Sequence, residues 1–345
     1  MTRPAIALPA GRLGQETVPG SLRTACPGAS GMLILVTACW GLSFPLTKSW
    51  QNGASGCAAG AAVAGLTLIA VRTLLALLLL AAFQPWLVWG PSRREHGIGL
   101  LLGLTNFLGC VTQVLALADT TPARVGFLAS LSAAWVPLLA FLALGRSVRR
   151  GALLGMVSAL TGAFVLGSAE GGGGMPGTGE WLALASSVVL AVQVLLLDGL
   201  GKGAGAGHLT VGYLAGTGLP ALACAAAGAA CGPGVPTWLS WVGQMSSDRL
   251  VLCDLALLTL FSTVLATHWL VIYQPRVPAN RAAVIYLLES VFAAAFSILW
   301  GYDRVTLPLA LGGALIVTGV LLVELPPAAP RAAARATGAA APGHR

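Results

Sequence analysis

The chain has 345 residues, of which 57% are hydrophobic and 9% charged, with a mean hydropathy of +0.85 and a formal net charge of +8. A soluble domain carries about a quarter charged residues, so this composition argues against a water-soluble globule and for an integral membrane protein. The Arg and Lys residues form no long cluster, and the basic balance needs no nucleic-acid partner.

Residues 1–30 hold three Arg and four Pro without a signal-peptide apolar core. They read as a disordered cytoplasmic tail before a retained first anchor. Ten apolar runs follow, at 31–50, 62–83, 97–118, 123–144, 151–169, 180–200, 209–229, 250–273, 280–299 and 307–325. Crossing a bilayer takes about 20 apolar residues at 1.5 Å each. Lipid cannot satisfy open backbone groups, and the runs are too long for barrel strands, so each is expected to be a helix. The Gly-rich stretch 170–179 divides the chain into five-helix halves, 31–169 and 180–325, and the Ala/Pro/Arg-rich tail 326–345 reads as disordered.

With the N-terminus placed in the cytoplasm, 14 Lys and Arg fall on inside segments, three (Arg124, Arg249, Arg304) on outside segments, and two (Lys48, Arg72) within helices. The excess of basic residues on cytoplasmic loops favours this orientation, with both termini inside.

The halves also repeat. Pro122-Ala123 opens one helix and Pro278-Ala279 another, and each is followed by a helix bearing two glycines seven apart, Gly155 and Gly162 in the first, Gly312 and Gly319 in the second. Thr161 and Thr318 precede the second glycine of each pair, and the offsets are 156 and 157 residues. Five helices per half is odd, so the second half enters from the opposite face. An inverted repeat of this kind is characteristic of secondary transporters, with the solute site near the midplane.

Helix one contains Trp40-Gly41-Leu42-Ser43-Phe44-Pro45-Leu46-Thr47-Lys48, which resembles the opening signature of EamA-type permeases of the drug/metabolite transporter superfamily. Arg72, the Phe127 to Val136-Pro137-Leu138 segment and the last two helices resemble further family patterns in the same order, across nearly all of 31–325. Two departures stand out. Ser290 replaces the family's Pro after the ninth-helix Glu, and Ser can bond back to the preceding turn, keeping a weaker bend. Asp303 is the nearest match to the family's turn carboxylate. The resemblance implies ten helices and a non-ATP-driven transporter of small polar organic metabolites, often an exporter of amino acids or related compounds.

The intramembrane ionisable residues are the leading site candidates. Glu289 either works in the solute pathway or neutralises Arg72 or Lys48. Lys48, near the outer end of its helix, could snorkel to the interface instead. Asn106 and Gln113 lie seven apart on one face, available to a solute or a neighbouring helix. Tyr286 shares the face of Glu289, and Trp40 with Phe44 could floor a cavity or pack in the core. His268 and Trp269 sit on helix eight, where His268 reads as a hydrogen-bonded packing residue or a proton shuttle. A cavity bordered by helices 1, 3, 4, 8 and 9 is expected, with Glu289 facing inward.

No phosphate-cradling loop, metal-ligand spacing, disulfide pattern or cofactor motif is present. The four His look scattered, which argues against a membrane enzyme. A non-transporting structural or sensor subunit is the other alternative. Trp86, Trp89, Trp238 and Trp241 read as interfacial anchors. The partners implied are the lipid bilayer, a small-molecule solute and a proton as candidate coupling ion. The Ala/Gly/Arg/Pro-rich composition points to a bacterial plasma (inner) membrane.

Overall fold

The computed structural model of the chain describes residues 27–53, 60–89, 93–120, 122–145, 150–168, 177–302 and 304–324, and the regular elements among them are all helical. In chain order they are α1 (Pro27–Gly53), α2 (Gly60–Phe83), α3 (Pro85–Trp89), α4 (Arg93–Asp119), α5 (Pro122–Ser130), α6 (Ser132–Leu144), α7 (Arg150–Ser168) and α8 (Thr178–Leu200). Then come α9 (Ala206–Cys231), α10 (Val235–Met245), α11 (Arg249–Leu257), α12 (Ala266–Tyr273), α13 (Ala279–Tyr286), α14 (Leu288–Leu299) and α15 (Leu307–Glu324). A π-helical stretch, Leu258–Leu265, joins α11 to α12.

Each of the ten apolar runs is helical where described, and eight of the resulting spans are long and apolar enough to cross a membrane. The other two, within α7 and α15, are apolar but shorter. Helix one starts at Pro27, inside the tail expected to be disordered. Proline suits a first helical turn because its missing N–H would have no partner there. The remaining tail residues, residues 169–176 and Asp303 lie outside the described residues, and the last residues of the 170–179 linker fall at the start of α8.

Two helices expected to be continuous each carry a one-residue turn. The backbone there stays in the right-handed helical region (Leu131 φ −61°, ψ −11°; Leu287 φ −60°, ψ −24°), and each stretch still forms one span. Leu131 separates α5 from α6, and Leu287 separates α13 from α14. Both breaks use the tighter i→i+3 step: Leu131 N–H donates to Leu128 C=O at 3.2 Å, and Leu287 N–H to Val284 C=O at 3.2 Å. Ser290 donates its hydroxyl to the Leu287 carbonyl at 2.7 Å, so the back-bond expected of this serine lies at the break itself. Pro45, Pro137 and Pro220 each sit inside an uninterrupted helix.

The glycines bring helix backbones together. On α4 and α9, Gly99 and Gly103 face Gly212 and Gly216, and a Cβ at any of the four would collide with a carbonyl of the opposite helix. These two small-xxx-small pairs run parallel, the arrangement small residues favour between helices in lipid. On α7 and α15 the packing is antiparallel. A Cβ at Gly162 would lie 2.5 Å from Gly312 O, one at Gly319 2.5 Å from Gly155 O, and Ser158 bonds Leu315 C=O at 3.1 Å between them.

Exposure sorts centre from edge. Ala282 to Leu288 are buried without interruption, so this stretch is enclosed on every side of its helix. By contrast α7 and α15 expose Leu154, Phe164, Leu307 and Leu321, apolar surface suited to lipid. Trp238 and Trp241 are not the interfacial anchors expected of them. Both are buried: Trp238 Nε1 donates to Thr67 Oγ1 at 2.9 Å, and Trp241 meets Trp50 edge-on at 6.2 Å. Short helix α10 thus plugs one end of the bundle with both indoles. Trp86, on α3 at the other end, is exposed.

Candidate functional site

Both helix breaks face a central cavity of about 930 Å³, counting its open mouth. The room inside it for water-sized groups is about 100 Å³. Arg72 of α2 and Glu289 of α14 are the charged residues on its wall. Asn106 and Gln113 of α4, Gln193 of α8 and Gln274 after α12 supply amides. Ser130 and Ser132 flank the first break, and Tyr286 and Glu289 flank the second. Trp40, Leu190, Val194 and Leu270 form apolar wall.

Tyr286 and Glu289, three apart across the turn at Leu287, both reach the cavity, as residues sharing one helix face do. Tyr286 donates its hydroxyl to Gln274 Oε1 at 2.8 Å, and Gln274 Nε2 donates to Val194 C=O at 2.8 Å. The ring of Tyr286 meets Trp40 at 5.6 Å between centroids. Gln193 Nε2 donates to the Tyr213 hydroxyl at 2.7 Å, ordering the α8–α9 wall.

The two charges are not paired. No ion pair within 4.0 Å joins Arg72 to Glu289 among the described residues, and Arg72 Nε is buried without a hydrogen-bond partner. Cys110 of α4 lines the same cavity. Lys48 is committed elsewhere, donating to Leu117 C=O at 2.8 Å.

Of the residues singled out in the sequence, Trp40, Arg72, Asn106, Gln113, Tyr286 and Glu289 meet at this cavity. Phe44 is instead buried against Leu117, Val125 and Ala293, and Trp269 packs on the main core. His268 does not line the cavity, and its Nδ1 is buried without a hydrogen-bond partner, so the expected hydrogen-bonded packing role is not what the structure has. Asn106 does both things considered for it, lining the cavity and donating to Thr217 Oγ1 on α9 at 3.2 Å.

The wall also extends beyond the expected helices, through Arg72 of α2 and residues of α8 and α9. Gln193, Tyr213 and Gln274 were missed, although a lone amide within an apolar run is a readable signal. The histidines are less scattered than they look in sequence. His96 and His208 meet at 5.2 Å between ring centroids, and both point a nitrogen at Leu87 C=O, at 3.2 and 3.0 Å. Neighbouring Glu95 accepts from Gly205 N–H at 2.7 Å, at the start of α9. This cluster ties α3 to α4 and α9, and no group of three metal-ligating side chains gathers among the described residues.

A second cavity, about 1,090 Å³ counting open space, is lined by Ala140, Gly145, Asp198, Lys202 and residues 275–280. Gln274 lines the central cavity and Pro275 the second, so the Tyr286–Gln274–Val194 chain stands where the two approach each other.

An all-helical bundle of multiple membrane spans around a polar cavity defines a multi-pass membrane protein. Residues 29–168, from α1 to the end of α7, match the model of the EamA-like transporter family, within the drug/metabolite transporter superfamily. The resemblance read in the sequence is thereby borne out over residues 29–168, and the match does not extend to 180–325. A solved structure, described only as a crystal structure of a protein, aligns with a TM-score of 0.59 and 20% identity, covering 86% of this chain and 96% of its own. Likeness at that identity speaks for the fold alone. No curated protein matches the chain.

Proposed function

We propose that the protein is a secondary transporter of small polar organic metabolites, working by alternating access between inverted halves 31–169 and 180–325. The observation that carries this reading is the polar cavity walled by both turn-bearing helices and by an unpaired intramembrane carboxylate, Glu289. Irregular turns beside a cavity suit a transporter, because departures from the regular helix are tolerated in a membrane only where they line a cavity or are buried in protein.

Three further observations support the inverted repeat. The breaks at Leu131 and Leu287 are 156 residues apart, the offset of Pro122 and Pro278. Gly162 approaches Gly312 as Gly319 approaches Gly155, which is how a two-fold axis would relate α7 and α15. Those two shorter helices bring the eight long spans to ten. Ten crossings would put both termini on one side, and the basic-residue distribution supports the cytoplasm as that side.

The family resemblance adds export of amino acids or related compounds, and the composition adds a bacterial plasma membrane. Glu289 is the candidate carrier of a coupling proton. The test is a resistance screen. Cells overexpressing the protein are challenged with toxic amino-acid and nucleoside analogues, alongside Glu289→Gln, and protective hits are followed as flux in sealed vesicles with and without a pH gradient. Protection lost in the variant, with matching flux, is the expected result. A chain that protects against nothing and moves nothing would overturn the reading.

A further inference from the structure

The two charged residues of the central cavity come from opposite halves of the chain, Arg72 from α2 and Glu289 from α14. Neither is neutralised by the protein. Among the described residues no ion pair joins them, Arg72 Nε has no acceptor, and Lys48 of α1 is bonded to Leu117 C=O. Both line the same cavity, with Cys110 of α4 also on its wall.

Opposite charges held apart in a low-dielectric wall attract a molecule that carries both complementary charges. A solute with one charge would satisfy one wall group and bury the other unpaired, and that penalty is how a polar site rejects a near-miss. The rest of the wall sets no further charge requirement: the Trp40–Tyr286 ring pair and Leu190, Val194 and Leu270 suit an apolar remainder.

We infer that Arg72 and Glu289 form a two-charge specificity clamp, in which the solute is dipolar, its anionic group meets Arg72, its cationic group meets Glu289, and it thereby bridges the two halves. This inference rests on the transport reading above. It assigns to these residues the discrimination of charge pattern, with the solute completing pairings that the two residues do not make with each other. Because the partners sit on different halves, the clamp also gives a bound solute a differential grip on the two halves, which any ligand-driven shift requires.

The test uses the whole chain in proteoliposomes and six probes: leucine and phenylalanine, each as the free amino acid, the carboxamide (cation only) and the N-acetyl derivative (anion only). The wild type is expected to move the free amino acids at least about tenfold faster than either one-charge form, the effect of one lost charge-assisted contact. Arg72→Gln should narrow the gap to the amide selectively, Glu289→Gln should narrow the gap to the N-acetyl form, and Arg72→Lys should keep the wild-type ranking.

The clamp is overturned if a one-charge form moves as fast as the free amino acid in the wild type. It is equally overturned if none of the six moves, or if both Gln variants depress all six alike. These outcomes differ from failure of transport itself. A chain that confers resistance to some other solute but ignores the dipolar probes sinks the clamp alone, whereas a chain inert in the resistance screen sinks both.

Discussion

The breaks at Leu131 and Leu287 share a backbone form and differ in what they carry. Each is a tight i→i+3 step within an apolar span at the cavity wall. At the first, the flanking side chains are Ser130 and Ser132, and Ser130 spends its hydroxyl on Phe127 C=O within its own helix, at 2.6 Å. At the second, the flanking side chains are Tyr286 and Glu289, and Tyr286 reaches across to Gln274. One turn therefore offers two small hydroxyls, that of Ser130 bonded within its own helix, and the other projects a phenol and a carboxylate into shared space. The backbone form is alike at the two positions, and the side chains beside it are not.

The comparison can be broken most directly at Glu289. Glu289→Gln is expected to lower vesicle flux about 100-fold, the effect of removing one member of a buried charge contact. Ser132→Ala, beside the other break, should cost less than about tenfold, as expected for one neutral hydrogen bond. Equal losses in the same flux assay would mean that the two breaks do equivalent work.

Next in size is the paired glycine contact that holds α7 on α15. Gly162→Val would push a Cβ to within 2.5 Å of the Gly312 carbonyl, and about 2–3 kcal/mol of stability is expected to be lost to overpacking. Gly313→Ala, whose new Cβ would sit 3.9 Å from Val291 Cγ1, should fall within about 0.5 kcal/mol of wild type. Thermal unfolding in detergent compares the two.

Tyr286→Phe removes the donor to Gln274 Oε1 and is expected to cost about 1–2 kcal/mol, because the buried amide oxygen loses its partner. Ser130→Ala at the other break should cost less, and the same unfolding assay ranks them. The smallest effect concerns the α10 plug. Trp238→Phe keeps the ring and loses the bond to Thr67, for about 1 kcal/mol, with flux expected to stay close to wild type.

Much of the bundle was legible in the chain because its signals are local. An apolar run long enough to span declares itself whatever its neighbours, and Gly155/Gly162 with Gly312/Gly319 marked a contact that the fold makes. Glu289 and Arg72 stood out because charge is rare inside such runs. Other signals were present and went unread: Gly99/Gly103 and Gly212/Gly216 have the spacing of close helix packing, and Gln193 and Gln274 are isolated amides in apolar surroundings. Trp238 and Trp241 were misread as anchors, because a Trp at the end of an apolar run looks alike whether it turns to headgroups or into the bundle.

Composition and periodicity by themselves determined a helical membrane protein, the approximate limits of its apolar runs and the rare charges within them. Those properties follow from the cost of exposing polar backbone to lipid, which each segment meets alone. Only the tertiary structure decided which face of each helix turns inward. It sent Phe44 and Trp269 into packing and Lys48 to the Leu117 carbonyl, joined His96 to His208 across α4 and α9, and left Arg72 and Glu289 unpaired on one wall. The rotation of a helix that is apolar all round is set by its neighbours, and no single segment encodes them.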